Sequence, residues 1–186
     1  MTARLAPLAR PCTAVLALCA LLCLQACGDA TPGPAASSSD SASAGALPVV
    51  ASFDAATSTF QDLDGRGLEI ESFAGKRVFV NYWATWCAPC IHEIPSLARA
   101  AEALAGEHTI FLLASDESPD VIRDFVTERG FSGNFIKLNG FFGKYGIHAV
   151  PSSSLYDEEG RLLQSWGGAF EWDSPEMLAQ IRNAGR

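Results

Sequence analysis

Arg77-Val78-Phe79-Val80-Asn81-Tyr82-Trp83 is a strand-like run that leads, three residues later, into Cys87-Ala88-Pro89-Cys90 and then into a helical pattern. This junction constrains the fold more than any other feature. A strand apolar on both sides belongs in the middle of a sheet with both faces covered, so the two thiols lie at its C-terminal end, where a helix begins. Cys87 falls just ahead of the first helical turn, where unpaired backbone N–H groups and the positive end of the helix dipole favour a thiolate. It is the expected nucleophile. Cys90, one turn on, is expected to face inward and to attack a mixed disulfide formed by Cys87, releasing the partner. Pro89 suits the first turn, where its missing N–H costs nothing, and stiffens the loop.

A Cys-x-x-Cys pair is also half of a structural zinc site, which needs two further ligands. The chain has six cysteines, and the other four, Cys12, Cys19, Cys23 and Cys27, lie in its first 27 residues. His92, His108 and His148 form no second paired-ligand motif. The strand-to-helix setting suits a redox pair better than zinc, and no metal or cofactor is expected.

Arg4 and Arg10 precede an apolar stretch from Cys12 to Leu24, followed by Leu24-Gln25-Ala26-Cys27. This reads as an export signal over 1–26, since the apolar run is short of the roughly 20 residues of a spanning helix. Leu24-Gln25-Ala26-Cys27 resembles a bacterial lipobox, with Cys27 as the lipidated first residue of the mature chain. The alternative is a plain signal peptide cut near Ala26, which would leave a free thiol in an oxidising compartment. From 27 to 47 the chain is mostly Ala, Ser, Gly, Pro and Asp and has little to bury, so a disordered tether is expected. Residues 48–186 are one domain's worth of chain. The formal net charge is −8, and loss of Arg4 and Arg10 makes the mature chain more acidic. That disfavours nucleic acid and direct adhesion to anionic lipid.

Within the domain, Phe60 to Ile70 carries Asp64-Gly65 between short alternating runs, a hairpin signal. After the thiols, Ile94, Leu97, Ala98, Ala101, Leu104 and Ala105 recur at helical spacing up to Gly106, with Pro95 expected to kink the helix. Thr109 to Ala114 reads as a buried strand, Pro119 to Arg129 as a helix, Phe135 to Leu138 as a short strand and Gly140 to Tyr145 as a short helical segment. Ser153 to Tyr156 and Arg161 to Trp166 flank Glu159-Gly160 as a hairpin, and Ser174-Pro175 opens a last helix. The alternation predicts an α/β domain with helices on both sides of a sheet.

Val80-Asn81-Tyr82-Trp83-Ala84-Thr85-Trp86-Cys87-Ala88-Pro89-Cys90, with Glu93 and Pro95 after it, resembles the thioredoxin superfamily. More narrowly, it is similar to the membrane-associated TlpA/ResA group of bacterial thiol-disulfide oxidoreductases. Gly75-Lys76, Ser115-Asp116-Glu117-Ser118 and Tyr145-Gly146-Ile147 through Val150-Pro151, then Asp157 and Gly160, add to the likeness, which covers roughly Val49 to Ile181. It implies a thioredoxin-like fold with a central mixed β-sheet, helices on both faces and, from the long interval between Cys90 and Pro151, the strand-helix insertion of this group.

The resemblance further implies that Pro151 is a cis-proline beside the thiols, freeing the Val150 backbone to pair with a partner peptide. Ser152 stands where relatives commonly have Thr. Glu93 matches an acid three positions after the second cysteine, implied to help deprotonate Cys90, with burial raising its pKa. The residue-level alternative is a surface Glu favoured by the helix dipole. Asn81 occupies the strand position where minimal thioredoxins have a buried Asp. Trp86 is the candidate platform for a partner chain, Tyr82 and Trp83 read as packing residues, and His92 as solvent-facing. Trp166, Phe170 and Trp172 are expected to pack the last helix on the sheet. By family, the partners are exported disulfide-containing proteins such as apocytochrome c or copper-site proteins, with a membrane thiol-transfer protein as electron donor. The competing functional reading is a Cu(I) carrier using Cys87, Cys90 and His92 or His148.

Overall fold

The computed structural model describes residues 58–186. The signal, Cys27, the tether over 27–47 and the domain onset at 48 lie outside the described residues.

The central strand is built as its sequence requires. In β3 (Arg77–Tyr82) every residue after Arg77 is buried. It pairs in parallel with β4 (Thr109–Ser115) on one side and antiparallel with β6 (Ser152–Tyr156) on the other. β5 (Phe135–Leu138) extends the sheet in parallel from β4, and β1 (Phe60–Asp62) follows antiparallel with β2 (Gly67–Leu68) at that edge. β7 (Leu162–Gly167) closes the opposite edge against β6. The order β2-β1-β5-β4-β3-β6-β7 is therefore that of a mixed seven-stranded sheet. The unit of α2 (Pro119–Arg129) and β5, placed between β4 and the segment leading to Pro151, is the strand-helix insertion.

Strand alternation divides β3 between two cores. Phe79 and the following Trp83 join Phe111, Leu113 and Phe135 under α1 (Ala88–Leu104), α2 and α3 (Pro175–Asn183). Val78, Val80 and Tyr82 point the other way, with Leu112, Ala114, Ile136 and Leu138. There the cover comes from the 3-10 turns Ile70–Phe73 and Phe142–Tyr145, through Ile70, Phe73 and Tyr145. Helical elements thus cover both faces unequally, with the three α-helices on one and only short 3-10 turns on the other.

Ser118 and Ser174 cap α2 and α3 by accepting from the N–H groups of Val121 and Met177, each followed by a proline in the first turn. Helix α1 is continuous across Pro95, which is exposed and removes only the donor to the Ile91 carbonyl. The helix ends at Leu104 rather than at Gly106. The chain tightens into a 3-10 turn, Ala105–Glu107, and reverses at His108, whose φ of 55° makes it the one non-glycine residue with positive φ among the described residues. No helix among the described residues is long and apolar enough to cross a membrane.

Candidate active site

Cys87 is the N-cap of α1, with φ −92° and ψ 95°, and the backbone N–H of Cys90 donates to its Sγ at 3.3 Å. Pro89 occupies the first turn. The two sulfurs are joined, with S–S 2.03 Å and Cα–Cα 5.3 Å. Cys90 is fully buried, whereas Cys87 keeps 4% exposure, so an incoming sulfur can reach only Cys87. A thiolate on Cys87 would receive the Cys90 N–H and the field of the helix N-terminus, both of which stabilise negative charge.

Three segments converge on this cap. Trp86 stands 70% exposed immediately before Cys87. The Val150–Pro151 peptide bond is cis, and the Val150 carbonyl oxygen lies 3.6 Å from Cys87 Sγ. The Pro151 carbonyl accepts from the N–H of Gly168 at 2.9 Å, tying this turn to the end of β7. The loop ahead of the thiols is held from below by Glu117, whose carboxylate accepts from the Thr85 N–H at 2.8 Å, the Thr85 hydroxyl at 2.6 Å and the Ser115 hydroxyl at 3.0 Å. Lys137 Nζ in turn donates to the Asp116 and Glu117 carbonyls. His92 and His148 are exposed.

Glu93 lies three residues beyond Cys90 on α1 and is 1% exposed, which removes the surface alternative. Its Oε1 accepts from Asn81 Nδ2 at 2.8 Å. Its Oε2 accepts from the Phe170 N–H at 3.0 Å and Trp172 Nε1–H at 2.8 Å. Burial pushes the Glu93 carboxyl above the usual carboxylate range, and the bonds from Trp172, Asn81 and Phe170 offset part of that rise.

Phe170 and Trp172 do more than pack. Sequence alone predicts a purely apolar role for these aromatics, and Trp172 does make edge contacts with Phe79 and Trp166. The loop that carries them also supplies two of the three donors to the buried acid, and Ser96 Oγ fixes it by accepting from the Trp172 N–H at 3.1 Å. Glu117 likewise received no role from sequence. Its only signal was its place in Ser115-Asp116-Glu117-Ser118 at the C-terminal end of β4, beside the thiol-bearing strand.

The comparisons with known proteins agree with this architecture. The Redoxin family profile matches residues 41–183. The thiol-disulfide oxidoreductase ResA of Bacillus thuringiensis (strain Al Hakam) is 32% identical over 106 residues, covering 55% of this chain and 61% of that relative's length. ResA of Halalkalibacterium halodurans is 30% identical over 130 residues, covering 66% of this chain and 72% of the relative. The crystal structure of StoA from Bacillus subtilis superposes with a TM-score of 0.55 at 19% identity, over 73% of this chain and 98% of StoA, and speaks for the fold. With its Cys-x-x-Cys pair capping the helix that leaves a central strand, and a cis-proline turn beside it, the chain belongs to the Redoxin family and is a thioredoxin-superfamily protein of the ResA/TlpA type.

Proposed function

We propose that this chain is a thiol-disulfide oxidoreductase of the bacterial cell envelope that reduces disulfides in exported proteins through Cys87 and Cys90. The observation that carries the reading is the cap itself, a sulfur pair at a helix N-terminus with the outer sulfur 3.6 Å from the Val150 carbonyl. In the reduced protein, the Cys87 thiolate attacks one sulfur of a substrate disulfide, and the other substrate sulfur leaves as a thiolate. Cys90 then gives its proton to Glu93 and attacks Cys87 Sγ. The Cys87–Cys90 bond forms, the mixed disulfide breaks, and the second substrate sulfur leaves and is protonated. Two electrons have passed from the pair to the substrate. Glu93 is suited to take this proton because burial raises its affinity for one.

Trp86 and the Val150–Pro151 turn form the docking surface in this reading, with an extended substrate segment pairing against the Val150 backbone. The substrates are exported proteins with paired cysteines, apocytochrome c or copper-site proteins among them. A membrane thiol-transfer protein returns two electrons, and with one proton these restore the Cys87 thiolate and the Cys90 thiol once Glu93 has released its proton. A lipid on Cys27 and the tether over 27–47 hold the domain at the membrane surface.

Replacing Cys90 by Ser removes the resolving thiol. The Cys90→Ser chain should accumulate mixed disulfides at Cys87 with envelope proteins, released by dithiothreitol and absent when Cys87 is also replaced. Capture of nothing, together with loss of Cu(I) affinity, would favour a metal carrier and overturn the reading.

A further inference from the structure

Asn81 carries an unpaired atom at the centre of this site. Its Nδ2 donates to Glu93 Oε1 at 2.8 Å and to Ser153 Oγ at 3.0 Å, while its Oδ1 is buried without a hydrogen-bond partner. A buried amide oxygen left unpaired is costly, and such groups in a folded protein call for a reason.

The arrangement around Glu93 supplies one. Oε2 faces the Phe170 N–H and the Trp172 indole N–H, both of which donate and cannot accept. When the acid takes up a proton, Oε2 therefore remains the accepting oxygen, and the proton resides on Oε1, opposite Asn81. An O–H on Oε1 needs an acceptor, whereas Nδ2 offers only hydrogens. An asparagine amide has nearly the same shape in either orientation, with a donor at one end and an acceptor at the other. Aspartate cannot donate while ionised, and leucine can do neither.

We propose that Asn81 is the positioning residue of proton transfer: its amide presents Nδ2 to Glu93 while the acid is ionised and turns to present Oδ1 once Oε1 is protonated. The inference rests on the reading of Glu93 as the group that takes the Cys90 proton. In that step the Cys90 S–H bond breaks, an O–H bond forms at Oε1, and no electron changes hands. Ser153 Oγ, which now accepts from Nδ2, rotates its hydroxyl to donate to Oδ1 in the turned state. Among the described residues, Glu93 has no charged hydrogen-bond partner. β3 presents Asn81, β6 presents Ser153 through Asn81, the loop before α3 presents Phe170 and Trp172, and α1 itself carries Cys87 and Cys90. Among these described residues, the charge that changes besides those of the thiols is that of Glu93.

The test follows the Asn81 side-chain amide and the Glu93 carboxyl carbon by NMR in the reduced full-length chain, in detergent, across a pH titration. The two should shift with one midpoint, the Asn81 amide protons moving upfield as the bond to Oε1 is given up, and Glu93→Gln should leave the Asn81 signals flat. Asn81 signals that stay flat while Glu93 titrates would overturn the proposal. A second measurement uses the Cys87→Ser background and follows ionisation of Cys90 against pH through its Cβ resonance. Asn81→Asp places two carboxyls on one proton, which should move the Cys90 midpoint upward by a unit or more and lower its thiolate fraction near neutrality by about tenfold. An unchanged Cys90 titration would also overturn the proposal. If Glu93→Gln leaves the Cys90 titration untouched, it is the role of Glu93 toward Cys90 that fails. That failure is distinct from a flat Asn81 amide, which sinks the turn itself. If Asn81→Asp does not fold, the NMR titration of the unsubstituted chain still decides the matter.

Discussion

Glu93 is pulled in opposite directions by burial, which favours its neutral form, and by three donors, which favour its charge, and burial prevails. The folded chain consequently holds this proton to higher pH than the unfolded chain does. Between the ordinary carboxylate value and the raised folded value, the native state binds more protons than the unfolded one, so stability falls as pH rises through that window. Urea midpoints measured against pH should show this decline in the unsubstituted protein and lose it in Glu93→Gln; an equal decline in both would assign it to other groups. The acid was legible from its place three residues after Cys90. Its environment was not, because Phe170 and Trp172 lie 77 and 79 residues away and nothing local marks a backbone N–H or an indole as its donor. Asn81 was legible only as a departure from the buried Asp of minimal thioredoxins, without the bond to Glu93 that gives the departure meaning.

Among the elements, the junction of β3 with α1 is the one on which the chemistry stands, and its loop is held by Glu117 as well as by the helix cap. Glu117→Ala removes the acceptor for both the Thr85 N–H and the Thr85 hydroxyl. Leaving such donors unpaired costs about 1–3 kcal/mol, so the variant should unfold at lower urea, exchange the Thr85 amide faster with deuterium, and reduce a model disulfide more slowly. Unchanged Thr85 exchange would refute the clamp. The strands and helices around this junction were readable because β3 and β4 are long buried runs and α2 and α3 carry Ser-Pro starts. The end of α1 was misplaced because Gly106 looks like a stop, while the left-handed residue is His108. The gathering of all three α-helices on one face was also hidden. An amphipathic period tells a helix to bury one side but does not say against which face of a sheet.

For the molecule as a whole, the formal charge of −8 disfavours binding to nucleic acid or adhesion to anionic lipid. The proposed lipid anchor makes a separate prediction. Cells fed a labelled fatty acid should incorporate it into the chain, which should sediment with membranes, and Cys27→Ala should lose both label and sedimentation. Label retained by Cys27→Ala would refute the anchor while leaving the thiol chemistry standing.

The sulfur pair and the apparatus that governs it are made at different times. Both cysteines precede residue 91, whereas the donors that hold the Glu93 carboxylate are at 170 and 172. A polypeptide emerging N-terminus first therefore displays its sulfurs well before the loop that tunes their acid has been synthesised. If Glu93 serves the resolving thiol as proposed, a chain lacking this last loop would still attack disulfides through Cys87 and would be slow to resolve the mixed disulfides it forms.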